Sequence, residues 1–104
     1  MKKLDIILRT EKRDAAIQAI RKIGVGGLTV TEVKGQGSEE EPLVGEFYTR
    51  CKITTVVVDE KVNPILKSIG DTACTETKGD GKIFVSNVEE VMDLCSKECG
   101  HTVL

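Results

Sequence analysis

Residues 77–85 read Thr-Lys-Gly-Asp-Gly-Lys-Ile-Phe-Val, a glycine turn that runs directly into an apolar strand. Backbone N–H groups left unpaired by such a turn form a concavity that binds anions, and Lys82 adds a positive charge beside it. Gly-Asp-Gly is also an ordinary hairpin signal. The residues alone therefore predict a turn followed by a strand, and they leave open whether that turn holds a phosphate.

Other segments before this turn also have the pattern of strands. Lys2–Leu8 and residues 51–58 are rich in Ile, Leu and Val, and residues 28–34 alternate apolar with polar side chains. Each pattern predicts a strand. With residues 82–86, the chain offers four strands in total.

Helical spacing appears between these strands. Thr10 is a candidate cap for the first helix, and Gly24 is expected to end it. Between them, apolar residues recur on one helical face, at Ala16, Ile17, Ile20 and Ile23. Residues 61–69 predict a second helix with Pro64 in its first turn, where a missing N–H is tolerated. Residues 88–94 predict a short terminal helix.

The order of these elements is β-α-β-β-α-β. This order is typical of an α+β, ferredoxin-like domain, in which two helices cover one face of a four-stranded antiparallel sheet. Many Ile, Val and Thr side chains remain for the uncovered face, which predicts oligomerisation. Residues 1–104 form a single domain with no internal repeat or linker, and residues 95–104 are expected to be a flexible tail.

Composition excludes several classes of function. The formal net charge of -2 argues against a general nucleic-acid binder, because no basic excess is present to neutralise phosphates. No apolar run approaches the ~20 residues of a membrane helix, which argues against membrane insertion. The first residues lack the long apolar region of a signal peptide, so we expect a cytoplasmic protein.

The cysteines divide into two groups. Cys51 and Cys74 each lie among apolar residues, where cysteine is most often a small buried hydrophobe. Cys95 and Cys99 lie close together and near His101. Three interpretations stay open for this pair: a reversible disulfide, a metal site that includes His101, and two reduced thiols.

Residues 24–37 and 79–85, in that order and separation, resemble the PII family of trimeric, nucleotide-sensing signalling proteins. The resemblance covers most of the chain apart from residues 38–46 and the last ten. It implies a homotrimer with an adenine nucleotide in each cleft between subunits. It also implies a regulator rather than an enzyme, whose long loop, the T-loop at residues 36–48, docks on a membrane transporter or a metabolic enzyme.

The same resemblance assigns the site residues. The adenine pocket would be formed by Ile7, Gly27, Leu28, Thr29 and Val56. The start of the T-loop would contribute Gly35 and Gly37, and the phosphate-binding turn would contribute Gly79, Asp80, Gly81 and Lys82. The effector and T-loop positions would be Gln36, Glu39 and Arg50, and no residue is assigned to a catalytic role or a permanent metal.

This chain departs from the family pattern in three respects. Its T-loop is short and lacks the modifiable tyrosine. Glu39 replaces a glutamine that helps to hold Mg²⁺ and 2-oxoglutarate, and Arg50 replaces a lysine that pairs with that keto acid. Asp93 and Cys95 replace arginines that bind the outer phosphates of ATP. Losing such charge-assisted contacts should weaken ATP most, so ADP or AMP is the expected nucleotide.

These departures place the chain nearer the divergent PII-like branch. The expected function is a regulator that binds ADP or AMP and is linked to bicarbonate and carbon metabolism, with Mg²⁺ and bicarbonate as candidate co-ligands. The alternatives are a nitrogen-status regulator that responds to ATP and 2-oxoglutarate, and a small metal-binding or redox domain built on Cys95, Cys99 and His101.

Overall fold

One antiparallel sheet of four strands forms the framework of the protein. The structure is a computed structural model, and it describes residues 1–37, 47–77 and 79–104. The strands are β1 (Lys2–Leu8), β2 (Thr29–Gly35), β3 (Tyr48–Val57) and β4 (Gly81–Asn87), and the helices are α1 (Arg13–Ile23) and α2 (Val62–Ala73). The strand order β2-β3-β1-β4 confirms the predicted α+β, ferredoxin-like fold.

The core lies between the sheet and the two helices. Alternate residues of β1 and β3 point toward the helices and are buried, whereas their neighbours in sequence point to the opposite face. The largest fully buried side chains are Leu4, Ile6, Leu8, Ile20, Ile53 and Ile65. Each of these aliphatic side chains contributes about 1.5–3 kcal/mol when it leaves water, so this layer is the main source of stability.

The helix ends differ from the predictions in detail. A 3-10 turn, Thr10–Lys12, precedes α1, so Thr10 lies one turn before the helix and the predicted cap is wrong. Gly24 ends α1 with φ 89° and ψ 60°, which confirms the left-handed position that glycine adopts without a Cβ clash. The Lys61 ammonium donates to the Gly24 carbonyl and ties the start of α2 to the end of α1.

The predicted terminal helix at residues 88–94 is absent, and this prediction is wrong. Met92 instead forms an antiparallel bridge with Cys99, and the Asp93 N–H donates to the Glu98 carbonyl at 2.9 Å. So short a helix is stable only when packing buries its apolar face. Leu94 is 88% exposed and Met92 is 49% exposed, so no such packing exists here.

The sheet face opposite the helices is less apolar than expected. At its centre, the Asp5 carboxylate accepts a hydrogen bond from the Thr54 hydroxyl at 2.8 Å. The ammonium groups of Lys3 and Lys52 lie 3.5 Å and 3.8 Å from the same carboxylate. A carboxylate therefore occupies the middle of this face, with two ammonium groups of the same chain beside it.

No helix in the described part of the chain is both long enough and apolar enough to cross a membrane.

The start of β4 imposes a strict steric limit. Gly81 has φ +127°, and an added Cβ would lie 1.9 Å from the carbonyl oxygen of Ile7. We predict that G81A lowers the free energy of unfolding by about 3 kcal/mol or more, because any L side chain is strained there and also collides with β1. Urea denaturation at fixed protein concentration measures the change.

A matched control is available in α2. Gly70 lies in the helix, is exposed, and has no atom within 4 Å of an added Cβ. We expect G70A to raise the free energy of unfolding by about 1 kcal/mol, because alanine is the better helix former. Equal effects of the two alanine substitutions would contradict the steric limit at Gly81.

Candidate functional site

A groove of about 600 Å³ lies where one end of the open sheet face meets the turn before β4. It gathers nine of the residues predicted from the sequence, which are Ile7, Gly35, Gln36, Gly37, Arg50, Gly79, Asp80, Gly81 and Lys82. These residues come from four separate parts of the chain. The fold therefore brings most of the predicted site into one place.

Strand register explains this convergence. Ile7 on β1 is paired with Lys52 on one side and with Lys82 on the other. Paired residues project to the same face of a sheet, so the Ile7 side chain lies between two lysines on the open face. The floor of the groove is thus an apolar strip with an ammonium group on either side.

The groove favours anions. Its cationic lining residues are Lys34, Arg50, Lys52 and Lys82, whereas Asp80 is the one acid among the described residues that line it. Val33 and Phe84 add apolar surface, and Phe84 is 54% exposed. A ligand that combines a planar apolar part with negative groups matches these properties.

Asp80 makes most of its hydrogen bonds with residues of its own turn. Its carboxylate accepts hydrogen bonds from the Thr75 N–H at 2.8 Å, from the Thr75 hydroxyl and from the Thr77 hydroxyl at 3.4 Å. The Arg9 Nε lies 3.3 Å from the same carboxylate. These contacts lower the pKa of Asp80 to about 2. The hydrogen bond from the Thr75 hydroxyl has the largest effect, the bond from the Thr75 N–H comes next, and Arg9 adds a smaller one. Asp80 therefore holds the turn in shape from within the protein.

The backbone of this turn adopts a conformation that is open to glycine, which puts no side chain in the way of a ligand. Gly79 has φ 82° and Gly81 has φ 127°, both in the region that glycine occupies without strain. Lys82 follows directly on the exposed start of β4. Both glycines and Lys82 line the groove, so this turn brings backbone and an ammonium group to its wall.

Four of the predicted adenine residues lie elsewhere. Gly27, Leu28, Thr29 and Val56 are not part of the groove. Val56 is paired with Lys3 and Thr29 with Thr54, toward the opposite end of the sheet from Ile7. Within one chain, the predicted adenine pocket is thus divided into two separate sets.

Arg50 lies at the base of the loop. Its guanidinium lies over the Tyr48 ring, 5.3 Å from the centroid, and its Nη1 donates to the Thr49 carbonyl at 3.0 Å. These contacts hold Arg50 at the groove, and its effector role stays a prediction. Glu39 and most of the predicted T-loop fall outside the described residues.

The C-terminal cysteines are free and exposed. No group of three or more His, Cys, Asp or Glu side chains that could hold a metal is found in residues 1–37, 47–77 and 79–104. The structure therefore does not gather Cys95, Cys99 and His101 into a metal centre. Disulfide formation by the pair and flexibility of residues 95–104 remain predictions.

Sequence reasoning missed several residues of the site. Thr75, Thr77 and Arg9 surround Asp80, and Val33 and Phe84 line the groove. The position of Phe84 is predictable from the strand pattern, because Phe84 lies two residues after Lys82 and therefore projects to the same face. The position of Arg9 had no such signal, since its partner is 71 residues away.

A buried hydrogen bond supports the residues that precede β2. The Thr55 hydroxyl, on a residue that is 2% exposed, donates to the Gly27 carbonyl at 2.7 Å. We predict that T55V lowers the free energy of unfolding by about 1–3 kcal/mol, because the carbonyl loses its donor. T55S keeps the hydroxyl and should lose less; thermal unfolding compares them, and a T55V protein as stable as wild type would contradict the role of this hydrogen bond.

The low pKa of Asp80 gives a pH dependence with a defined sign. Its unfolded pKa is about 3.9, and its folded pKa is about 2. The stabilising contribution is therefore complete above about pH 4 and is lost as the pH falls through about 2. We expect the stability difference between wild type and D80N to be constant from pH 5 to 8 and to shrink below pH 4. Denaturant titrations across this range test it, and a difference that persists at pH 2 would contradict it.

The comparisons with known proteins agree with this geometry. The family model described as "Nitrogen regulatory protein P-II" matches residues 1–98. The chain is 37% identical over 108 residues to the nitrogen regulatory protein P-II of Rhizobium meliloti, with 96% of each chain covered. It is 38% identical over 112 residues to the protein of the same name from Porphyra purpurea, with 100% of each covered. The chain therefore belongs to the PII family.

Proposed function

We propose that this protein is a PII signal-transduction regulator that binds an adenine nucleotide and controls a partner through residues 36–48. The observation that carries the proposal is the groove, which joins an apolar floor at Ile7, four cationic side chains and a glycine turn. An adenine nucleotide has the matching parts, a planar base and a chain of phosphates. The family name describes regulation, and we propose no catalytic role.

Assembly into a homotrimer is part of the proposal, since trimers are typical of this family. The division of the predicted adenine pocket into two separate sets of residues supports assembly. If a neighbouring copy brings Gly27–Thr29 to the end of the groove near Ile7, the pocket becomes complete between subunits. Such an arrangement makes nucleotide binding depend on assembly.

The preference for ADP or AMP over ATP remains our proposal. Asp93 and Cys95, at the positions of the family's phosphate-binding arginines, lie in or beside the exposed turn that ends at Cys99. Neither can donate the bidentate hydrogen bonds that a guanidinium gives to phosphate. Lys82 and the turn remain for the inner phosphates, and Mg²⁺ is a candidate co-ligand.

Nitrogen status is the better-supported signal. The matched relatives are named nitrogen regulatory proteins, which favours the nitrogen alternative over the bicarbonate interpretation given first. Arg50 and Lys52 supply positive charge in the groove for a carboxylate effector such as 2-oxoglutarate. The T-loop would then carry the signal to a transporter or metabolic enzyme in the cytoplasm, because a ligand that favours one loop state shifts the population toward it.

Calorimetric titration tests this function. We predict micromolar binding of ADP or AMP, weaker binding of ATP, and a further change when Mg²⁺ and 2-oxoglutarate are present. K82M should weaken ADP about tenfold or more, because a charge-assisted contact worth about 1.5–3 kcal/mol is lost. K67M is the matched control, since Lys67 is exposed on α2 and pairs with Asp71.

The outcomes separate the alternatives. If bicarbonate but not 2-oxoglutarate strengthens nucleotide binding, the result would favour a regulator of carbon metabolism. Tighter binding of ATP than ADP would remove the proposed nucleotide preference but keep the regulator. A folded trimer that binds no adenine nucleotide would overturn the proposed function.

A further inference from the structure

An anion site that contains a carboxylate has an electrostatic problem. Asp80 lies in the turn that faces the groove, its side chain is 21% exposed, and it stays ionised at neutral pH. A negative charge within a few ångströms of a phosphate repels it, and the repulsion grows with each added phosphate. Balancing the charge of Asp80 therefore strengthens the binding of a polyphosphate at this turn.

Arg9 is placed to balance this charge. It follows β1 directly, and its Nε lies 3.3 Å from the Asp80 Oδ1. Its Nη2 also donates to the Thr77 hydroxyl at 3.4 Å, and that hydroxyl donates to Asp80. The Arg9 guanidinium therefore contacts both the carboxylate and one of its hydrogen-bond donors.

Arg9 is not among the residues that line the groove. Its side chain is 30% exposed and is directed at Asp80 from the side of the β1–α1 junction. Lys82, by contrast, lines the groove itself. An effect of Arg9 on an anion in the groove is thus expected to pass through Asp80.

We propose that Arg9 is a positioning residue that sets the affinity of the Gly79–Lys82 turn for polyphosphates by neutralising Asp80. The inference deepens the proposed function, on which its physiological meaning rests. Arg9 makes the turn a site for two or three linked phosphates, and without it the bare carboxylate selects against them. A single phosphate, as in AMP, is less affected.

A double-mutant cycle tests this relation. R9M, D80N and R9M/D80N are titrated with AMP, ADP, ATP and inorganic tripolyphosphate. We expect R9M to weaken ATP and tripolyphosphate about tenfold and AMP by less than threefold. In the D80N background the same Arg9 substitution should change tripolyphosphate binding by less than twofold, because no charge remains to be neutralised.

Two further variants separate charge from structure. R9K keeps the positive charge and should recover most of the tripolyphosphate affinity. K12M removes one positive charge three residues away and should leave binding within twofold of wild type. Raising the salt concentration from 50 to 500 mM should shrink the difference in tripolyphosphate affinity between R9M and wild type, since screening weakens repulsion. If D80N abolishes binding, this salt dependence tests the inference in place of the double-mutant cycle.

Several results would overturn the inference. An equal loss from R9M in the wild-type and D80N backgrounds would make Arg9 a direct ligand of the phosphate. Equal weakening of AMP and ATP, unchanged by salt, would make it a structural residue only. If the wild-type protein binds tripolyphosphate but no nucleotide, the proposed function falls, and a loss of tripolyphosphate binding in R9M that disappears in the D80N background would still support the inference. Protein that binds neither would remove both.

Discussion

The site depends on β1 being paired on both sides. Because β3 and β4 flank this strand, Ile7 has Lys52 and Lys82 as its two lateral neighbours. The pairing with β4 starts at Leu8 and Gly81, where backbone approaches backbone more closely than any side chain would allow. One contact between two main chains thus fixes the position of the turn, of the ammonium group after it and of the groove floor.

The fold could be predicted because local signals and burial agreed. Lys2–Leu8 was predicted with its observed bounds, since its alternate residues fill the core. Gly24 ended α1 as expected. The terminal segment has helical spacing but forms no helix, because Leu94 has no core to join. Periodicity predicts an element only where a partner surface exists.

The site was predicted in part, and the reasons differ from residue to residue. The glycines and Lys82 carry a motif, so their convergence on the groove could be anticipated. The contacts of Asp80 could not, because its hydrogen-bond donors include Arg9, which lies far away in the sequence, as well as Thr75 and Thr77. The family resemblance assigns Gly27 and Thr29 to the same pocket as Ile7, but one chain alone does not bring them together.

The charge at the centre of the open sheet face affects any surface built there. Removing a lone carboxylate from water is costly, whereas one that already has a hydroxyl and two ammonium groups around it loses far less. Asp5 carries those partners, Thr54, Lys3 and Lys52, within its own chain. A neighbour that covers this face need supply no counter-charge for Asp5 itself. An apolar surface can therefore cover the neighbourhood of Asp5, whereas the cationic groove at the end of this face still favours an anionic surface.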